Sequence, residues 1–316
     1  MKHLRFIILM SLLSICFTGQ AGGQDQVIIR SSLLHPELLN PAITGSAFVP
    51  QACLSYMKYW TGIPQSPQTL LASTSIRIGN YDFYNPKKLI YTSGLKSRER
   101  VGLGIAIFSD SNGPAVTRGI HGTYAYHIQL KKASLSLGIT GKAEQRILDG
   151  NLFQPTYPGD PVLTGIRESF TSPNADIGAY YYSAKLIGGA AVHNIIPLED
   201  KINPGSKVKP DLVLHGGYLF SSFGKPNMEI NLNVRYLDMD VLEYELYLRT
   251  YIRKIHWIAV SYKSYRALAF HLGLSIRDIY LAYSFESSLS NIVRYNMGSH
   301  GIHLGINLGM RRFNRS

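Results

Sequence analysis

Three stretches of this chain alternate with a strict period of two. "NMEINLNVRY" sets Met228, Ile230, Leu232, Val234 and Tyr236 against Glu229, Asn231, Asn233 and Arg235. "VLEYELYLRTYI" opposes Leu242, Tyr244, Leu246, Leu248 and Ile252 to Glu243, Glu245 and Arg249. "GIHLGINLGM" does the same with Ile302, Leu304, Ile306, Leu308 and Met310. Successive side chains on a strand point to opposite faces, so each stretch reads as a strand with one apolar and one polar face. About fourteen segments carry this pattern: 51–62, 68–78, 101–109, 117–130, 133–144, 174–183, 185–193, 211–220, 227–236, 242–252, 256–263, 268–276, 279–287 and 301–310. None reads as an amphipathic helix of useful length. The chain is all-β, and the open question is whether its apolar faces meet each other or meet lipid.

The connections separate the two cases. An outer-membrane barrel has short turns on the periplasmic side and longer loops outside. Counting from the first strand, the even-to-odd connections are tight at Lys131-Lys132, Ser183 to Lys185, Arg253 to Ile255 and Arg277-Asp278. The long connections 145–173, 194–210 and 288–300 are all odd-to-even, and 79–100 is the exception. A soluble sandwich has no reason to sort its loops by parity. Composition agrees: 21 tyrosines, 29 glycines and no run of eighteen apolar residues beyond the start of the chain. Aromatics such as Tyr56, Tyr59, Trp60 and Tyr180 to Tyr182 stand where interfacial girdles would lie. Gly102, Gly104, Gly216 and Gly217 read as polar-face positions suited to close backbone approach. The reading is a transmembrane antiparallel up-and-down β-barrel of about 14 strands.

The chain begins with a basic head, Lys2 and Arg5, an apolar run from Phe6 to Phe17 and small residues at Gly19 to Gly23. That is a secretory signal, expected over residues 1–22. Residues 23–50 form an N-terminal periplasmic or lumenal segment, and 51–316 the barrel. Only Cys53 remains after cleavage, so no internal disulfide forms. The remaining charge, roughly +10, is dispersed over turns and the polar face, which fits a lipid headgroup layer and gives nucleic acid no concentrated patch. The expected location is the cell outer membrane, with its lipid as the first partner.

Several stretches have a more specific look. "NPAITGS" at 40–46 holds Asn40, Pro41, Ala42 and Gly45. "YWTGIPQSPQT" at 59–69 holds Trp60, Gly62, Pro64 and Pro67. With "VGLGIAIFSDSNGP", "TYAYHIQLKKASLSLGITG", "SPNADIGAYYYS", "KPDLVLHGGYLF" and "IYLAYSFESSLSNIVRYNMGSHGIHLGI", the last carrying Gly298, Ser299 and His300, they run in order along nearly all of the mature chain. This succession resembles the PorP/SprF family of Bacteroidetes outer-membrane proteins, which is tied to the type IX secretion system. Gly301 departs from the acidic residue usual after Gly-Ser-His, and the chain ends on Asn314-Arg315-Ser316 after Phe313. The resemblance implies a barrel that supports export or surface attachment of cargo with a type IX C-terminal signal, gliding adhesins among them. It also implies a periplasmic peptidoglycan-binding secretion component as partner. A channel for nutrients or hydrophobic solutes is the alternative that strand number leaves open.

An enzyme is not the reading. His121 and His127 share the polar face of one strand but lie about 20 Å apart along it. His215 and Asp211 are about 13 Å apart on another. His193 and His271 stand alone on theirs, and Ser299-His300 lacks a third orienting group. No hydrolase, zinc or phosphate-loop motif occurs, so no cofactor is implied.

Three expectations are structural. Residues 145–173 should form the largest external loop. Glu229, Arg235, Glu243, Glu245 and Arg249 should face the lumen from adjacent strands and pair across the ladder. Residues 33–48 should fold back into the periplasmic mouth, because Leu38, Leu39, Ala42 and Ile43 need an apolar surface around the rigid Asn40-Pro41 step. Gly45 would permit close contact with the wall.

Overall fold

The computed structural model describes residues 32–47, 50–78, 100–149, 167–198, 208–222, 225–237, 241–252, 256–264, 267–276 and 278–307. The expected signal peptide and the chain end after 307 lie outside them. The described residues form a closed barrel of fourteen antiparallel strands, each bonded to its sequence neighbours. They are β1 (Gln51–Lys58), β2 (Gln68–Ile78), β3 (Val101–Asn112), β4 (Ala115–Gln129), β5 (Ala133–Asp149), β6 (Arg167–Ser183) and β7 (Leu186–His193). The second half comprises β8 (Asp211–Ser222), β9 (Lys225–Leu237), β10 (Val241–Ile252), β11 (His256–Lys263), β12 (Ala267–Ile276), β13 (Ile279–Ser288) and β14 (Ser299–Asn307). β1 closes the cylinder on β14, with Gln51 opposite Asn307 and Lys58 opposite His300.

Alternation builds the wall inside out. Along β2, Thr69, Leu71, Ser73, Ser75 and Arg77 are buried toward the lumen, whereas Leu70, Ala72, Thr74, Ile76 and Ile78 are exposed. Leu242 is 60% exposed and Ile302 57%. Such a belt of bare aliphatic side chains suits a hydrocarbon environment and would be untenable in water. Every described strand pairs on both sides where the cylinder closes, as a span through lipid demands.

Several boundaries shift from the sequence expectation. β5 and β6 run past the expected 144 and 174 to Asp149 and Arg167, pairing Glu144 with Ser172 and Leu148 with Glu168. Above Ile177, β6 no longer pairs with β7, so this hairpin stands beyond its neighbour. A ribbon outside lipid needs no apolar face, and so loses the period-two signal while keeping its backbone bonds. The expected loop 145–173 is thus partly strand, and 150–166 lies outside the described residues. β1 ends at Lys58 because Trp60 (φ +46°) and Gly62 (φ +102°) turn the chain. The β3–β4 connection is a two-residue turn at Gly113 and Pro114. The girdle expectation also needs correction: Tyr180 and Tyr182 stack on each other inside the lumen, and Tyr181 is the outward member. Gly217 faces inward beside Asn231, so Gly216, one residue earlier, faces outward.

Candidate functional site: a lumenal segment and its socket

Inside the barrel lies the segment 32–47. Pro36 opens a single helical turn, α1 (Pro36–Leu39), at a position where its missing N–H costs nothing. Asn40 ends that turn in extended conformation and starts the next: its Oδ1 accepts from the Ala42 amide at 2.9 Å, capping a 3-10 turn at Pro41–Ile43. Gly45, at φ +77°, turns the chain out. Two prolines and one capping asparagine thus fold ten residues into a compact wedge.

The wall receives this wedge with missing side chains. A Cβ on Gly138 would stand 2.4 Å from the Ala42 amide nitrogen, one on Gly178 2.1 Å from Asn40 Oδ1, and one on Gly102 2.2 Å from the Thr44 carbonyl oxygen. Polar groups then satisfy the wedge's backbone. Asn40 Nδ2 donates to the carbonyls of Ala179 (2.9 Å) and Ala190 (3.3 Å) and to His215 Nε2 (3.0 Å). His127 Nε2 donates to the Thr44 carbonyl at 2.9 Å, while its Nδ1 meets the Tyr182 hydroxyl at 3.0 Å. His193 Nε2 donates to the Leu39 carbonyl at 3.0 Å, and its Nδ1 faces Asp176, which Lys142 also contacts at 2.8 Å. Gly45 N donates to Ser75 Oγ at 2.8 Å. Asn40, Pro41, Ala42 and Thr44 are all fully buried.

Apolar contacts complete the fit. Leu39 packs on Ala191 and Val213, Leu38 on Leu71, Ala106 and Phe108, and Leu33 and Leu34 on the group around Trp257. Burying a leucine fully is worth about 1.5–3 kcal/mol, so these contacts offset the ordering of so short a segment.

The opposite wall carries charge. Arg249 pairs with Glu229, donating from Nε at 3.0 Å, and lies over the rings of Tyr251 and Trp257. Glu229 also accepts from Asn231 (2.6 Å), Tyr247 (3.4 Å) and Tyr251 (3.3 Å). Arg235 stands 3.6 Å from Glu243, and Glu245 accepts from Ser32 at 2.8 Å. All five charged side chains therefore engage partners within the lumen.

The remaining motif residues meet at the seam. Trp60, held in the left-handed region, donates its backbone N–H to Ser299 Oγ at 3.2 Å. Thr61 N donates to the Gly298 carbonyl (2.8 Å), and Met297 N to the Thr61 carbonyl (2.7 Å). The loops β1–β2 and β13–β14, far apart in sequence, are stitched together across the closure. Pro67 accepts from Tyr59 N at 2.8 Å, Gly62 sits where nothing crowds it, and Pro64 is exposed. His300 bonds the Tyr283 hydroxyl at 2.7 Å rather than forming an acid–base pair with Ser299.

Sequence reasoning weighed His127, His193 and His215 only as catalytic candidates, not as a collar for the segment, and passed over the socket glycines Gly138 and Gly178. Their signal was present as inward positions in the alternation, but only the threaded segment gives them a common object. His121 bonds Glu144 at 2.9 Å and, among the described residues, makes no bond to the segment. Among the described residues, no group of three or more His, Cys, Asp or Glu is placed to hold a metal ion.

Comparison with known proteins agrees with this architecture. The toluene transporter TbuX of Ralstonia pickettii aligns over 87% of this chain and 93% of its own, with a TM-score of 0.53 at 10% identity. The monoaromatic hydrocarbon channel CymD covers the same shares with a TM-score of 0.49 at 10% identity. A Pseudomonas aeruginosa FadL homologue aligns over 84% of this chain and 91% of its own, with a TM-score of 0.43 at 10% identity. At such identity the likeness to TbuX shows the outer-membrane barrel fold alone. No curated protein matches the chain. Residues 31–306 match the family described as type IX secretion system membrane protein PorP/SprF, a span that takes in the lumenal wedge, its socket and the stitched seam, and the chain belongs to that family.

Proposed function

We propose that this outer-membrane barrel is an accessory component of the type IX secretion system. In this reading it supports export or surface attachment of cargo bearing the type IX C-terminal signal, such as gliding adhesins, and does not serve as an open diffusion pore. The observation that carries the reading is the wedge at 40–45, whose backbone is bonded to the wall and whose socket lacks the side chains that would exclude it. A wedge bonded into the wall in this way obstructs the free diffusion that an open porin depends on. Tight turns of outer-membrane barrels face the periplasm. By that rule the mouth around Gln51 and Asn307 meets the periplasmic peptidoglycan-binding component, and the stitched loops face outward toward cargo.

The test compares the purified barrel with a variant lacking residues 33–48. Planar-bilayer recording should show negligible conductance for the parent and a stable pore for the deletion. Cells carrying the deletion should lose surface display of type IX cargo. A parent that conducts like an open porin, or a folded deletion that still displays cargo, would overturn the assignment.

A further inference from the structure

Two cavities flank the lumenal segment, and Leu33 and Leu34 belong to the walls of both. The larger, about 370 Å³, reaches Gln51, Ser275 and Asn307 at the short-turn end. The smaller, about 40 Å³, reaches Tyr59, Ser299 and His300 at the long-loop end. An unbroken row of hydrogen bonds joins them. Ser73 Oγ donates to Glu37 Oε1 at 2.5 Å and meets His35 Nδ1 at 2.7 Å. His35 Nε2 meets Ser55 Oγ at 2.6 Å, and Ser55 Oγ meets His303 Nδ1 at 2.6 Å. His303 Nε2 lies 3.1 Å from Ser284 Oγ, which lies 2.8 Å from His271 Nδ1. Glu37 and Ser73 line the larger cavity, and His303, Ser284 and His271 the smaller.

Serine and neutral imidazole each donate and accept, so the row has two complete proton orders. In one, each histidine carries its proton on Nδ1 and every serine donates toward the Glu37 end. In the other, every bond is reversed. The geometry points to a proton relay through the barrel, linking the two cavities that the lumenal segment separates. A proton arriving at His271 Nε2 releases the Nδ1 proton to Ser284, whose own proton passes to His303 Nε2. His303 Nδ1 releases to Ser55, and Ser55 to His35 Nε2. His35 Nδ1 then releases to Ser73, and Ser73 to Glu37. Only N–H and O–H bonds form and break, and one proton has moved from the smaller cavity to the larger.

The surrounding charges bias the row. At one end Lys263 lines the smaller cavity with His271, its ammonium paired to Glu286 at 2.6 Å. At the other end Glu37 and Cys53 face His35, and Tyr280 faces Cys53. Burial disfavours a charge on His35, but hydrogen bonding and charge from Cys53 and Glu37 outweigh it and raise its pKa to about 9. At neutral pH a proton rests on His35, and the two neutral orders describe the row once that proton has left. An excess proton is therefore held on His35 beside Glu37.

Within the row Ser284 bonds two wall histidines, His303 and His271, whereas Ser55 and Ser73 bond His35 of the segment, which makes Ser284 the residue to change. Valine and threonine share a shape and differ in the hydroxyl, so Ser284→Val is judged against Ser284→Thr. The full barrel is reconstituted into vesicles holding a pH-sensitive dye, with potassium and valinomycin clamping the potential. Wild type and Ser284→Thr should pass protons at least about ten-fold faster than Ser284→Val, which loses the only amphoteric link at that point. Potassium leak measured without valinomycin should be the same in all three. Equal proton flux in the Val and Thr variants, or a wild-type flux no faster than protein-free vesicles, would overturn the relay and leave the row as a pin for the segment. If Ser284→Val fails to assemble, Ser55→Val against Ser55→Thr asks the same question at the next serine.

Discussion

The two sides of the lumen hold the same segment in different ways. Toward β3–β8, the Asn40–Gly45 turn lies directly on glycine backbone, with no room for a single added carbon at Gly138 or Gly178. Toward β9–β14 no such glycine socket receives the segment: Leu33 and Leu34 rest on the Trp257 group, Ser32 bonds Glu245 and Asn233, and a cavity of about 370 Å³ reaches Glu229, Tyr247 and Arg249. Contact of the first kind is steric and tolerates no substitution, because close-packed atoms cannot yield. Contact of the second kind is polar in part, and its polar groups can exchange partners or take water at modest cost. One wall therefore fixes where the segment sits, and the other sets the electrostatics around it.

The sharpest way to break this contrast is to fill the socket. Gly178→Val drives a side chain into Asn40, and relief requires the segment to leave, at a cost of roughly 3 kcal/mol or more. Bilayer recording should show conductance approaching that of the 33–48 deletion. Gly122→Val, at a position where an added Cβ meets nothing, should leave the parent behaviour unchanged. Equal effects at the two sites would remove the steric argument.

On the charged wall, Arg249→Met leaves Glu229 without its ion-pair partner. Removing one member of a buried pair costs roughly 3 kcal/mol, although the tyrosine and asparagine donors to Glu229 soften this. The urea midpoint for loss of the compact, heat-modifiable band should fall while conductance stays low. A gain in conductance as large as that of Gly178→Val would show that the two walls do not differ in kind.

Asn40→Ala removes the cap and the bonds to Ala179, Ala190 and His215, an effect of about 1–2 kcal/mol confined to the turn. Amide exchange at Ala42 and Ile43 should accelerate with no change in global stability. Uniform acceleration across the barrel would contradict a local role.

The smallest expected effect is one of pH. Burial pushes the Glu37 carboxyl up, but hydrogen bonding and charge from His35, together with Ser73, hold it below its ordinary 4.5. A carboxylate depressed in the folded state stabilises above that value and loses its contribution as pH falls through the folded pKa. Exchange protection of residues 35–40 should therefore be flat above 4.5 and decline below it. Glu37→Gln should abolish the decline.

Much of this architecture was legible in the residues. Alternation located all fourteen strands because lipid on one side and a polar lumen on the other impose opposite demands every second residue. The same rule failed at β5 and β6, where the hairpin leaves that divided environment. Charge pairing between β9 and β10 followed from register, with Arg235 opposite Glu243 and Arg249 opposite Glu229. The prolines and Asn40 announced a rigid turn with an apolar surface in need of cover. Ser299 and Trp60 stood out as motif residues without any hint that they touch.

Periodicity, parity of the connections and the period-two polarity were determined by the sequence itself, because each depends on neighbours within a few residues or on a solvent that acts everywhere alike. The tertiary structure alone decided which inward residues act together. His127, His193 and His215 lie on three different strands, and only closure of the sheet brings them around Leu39, Asn40 and Thr44. Gly138 and Gly178 are unremarkable as letters; their meaning is the Ala42 amide and the Asn40 side chain lying where their side chains would be. A cylinder joins positions more than two hundred residues apart, such as Ser55 and His303, through a curvature to which no local segment gives a clue.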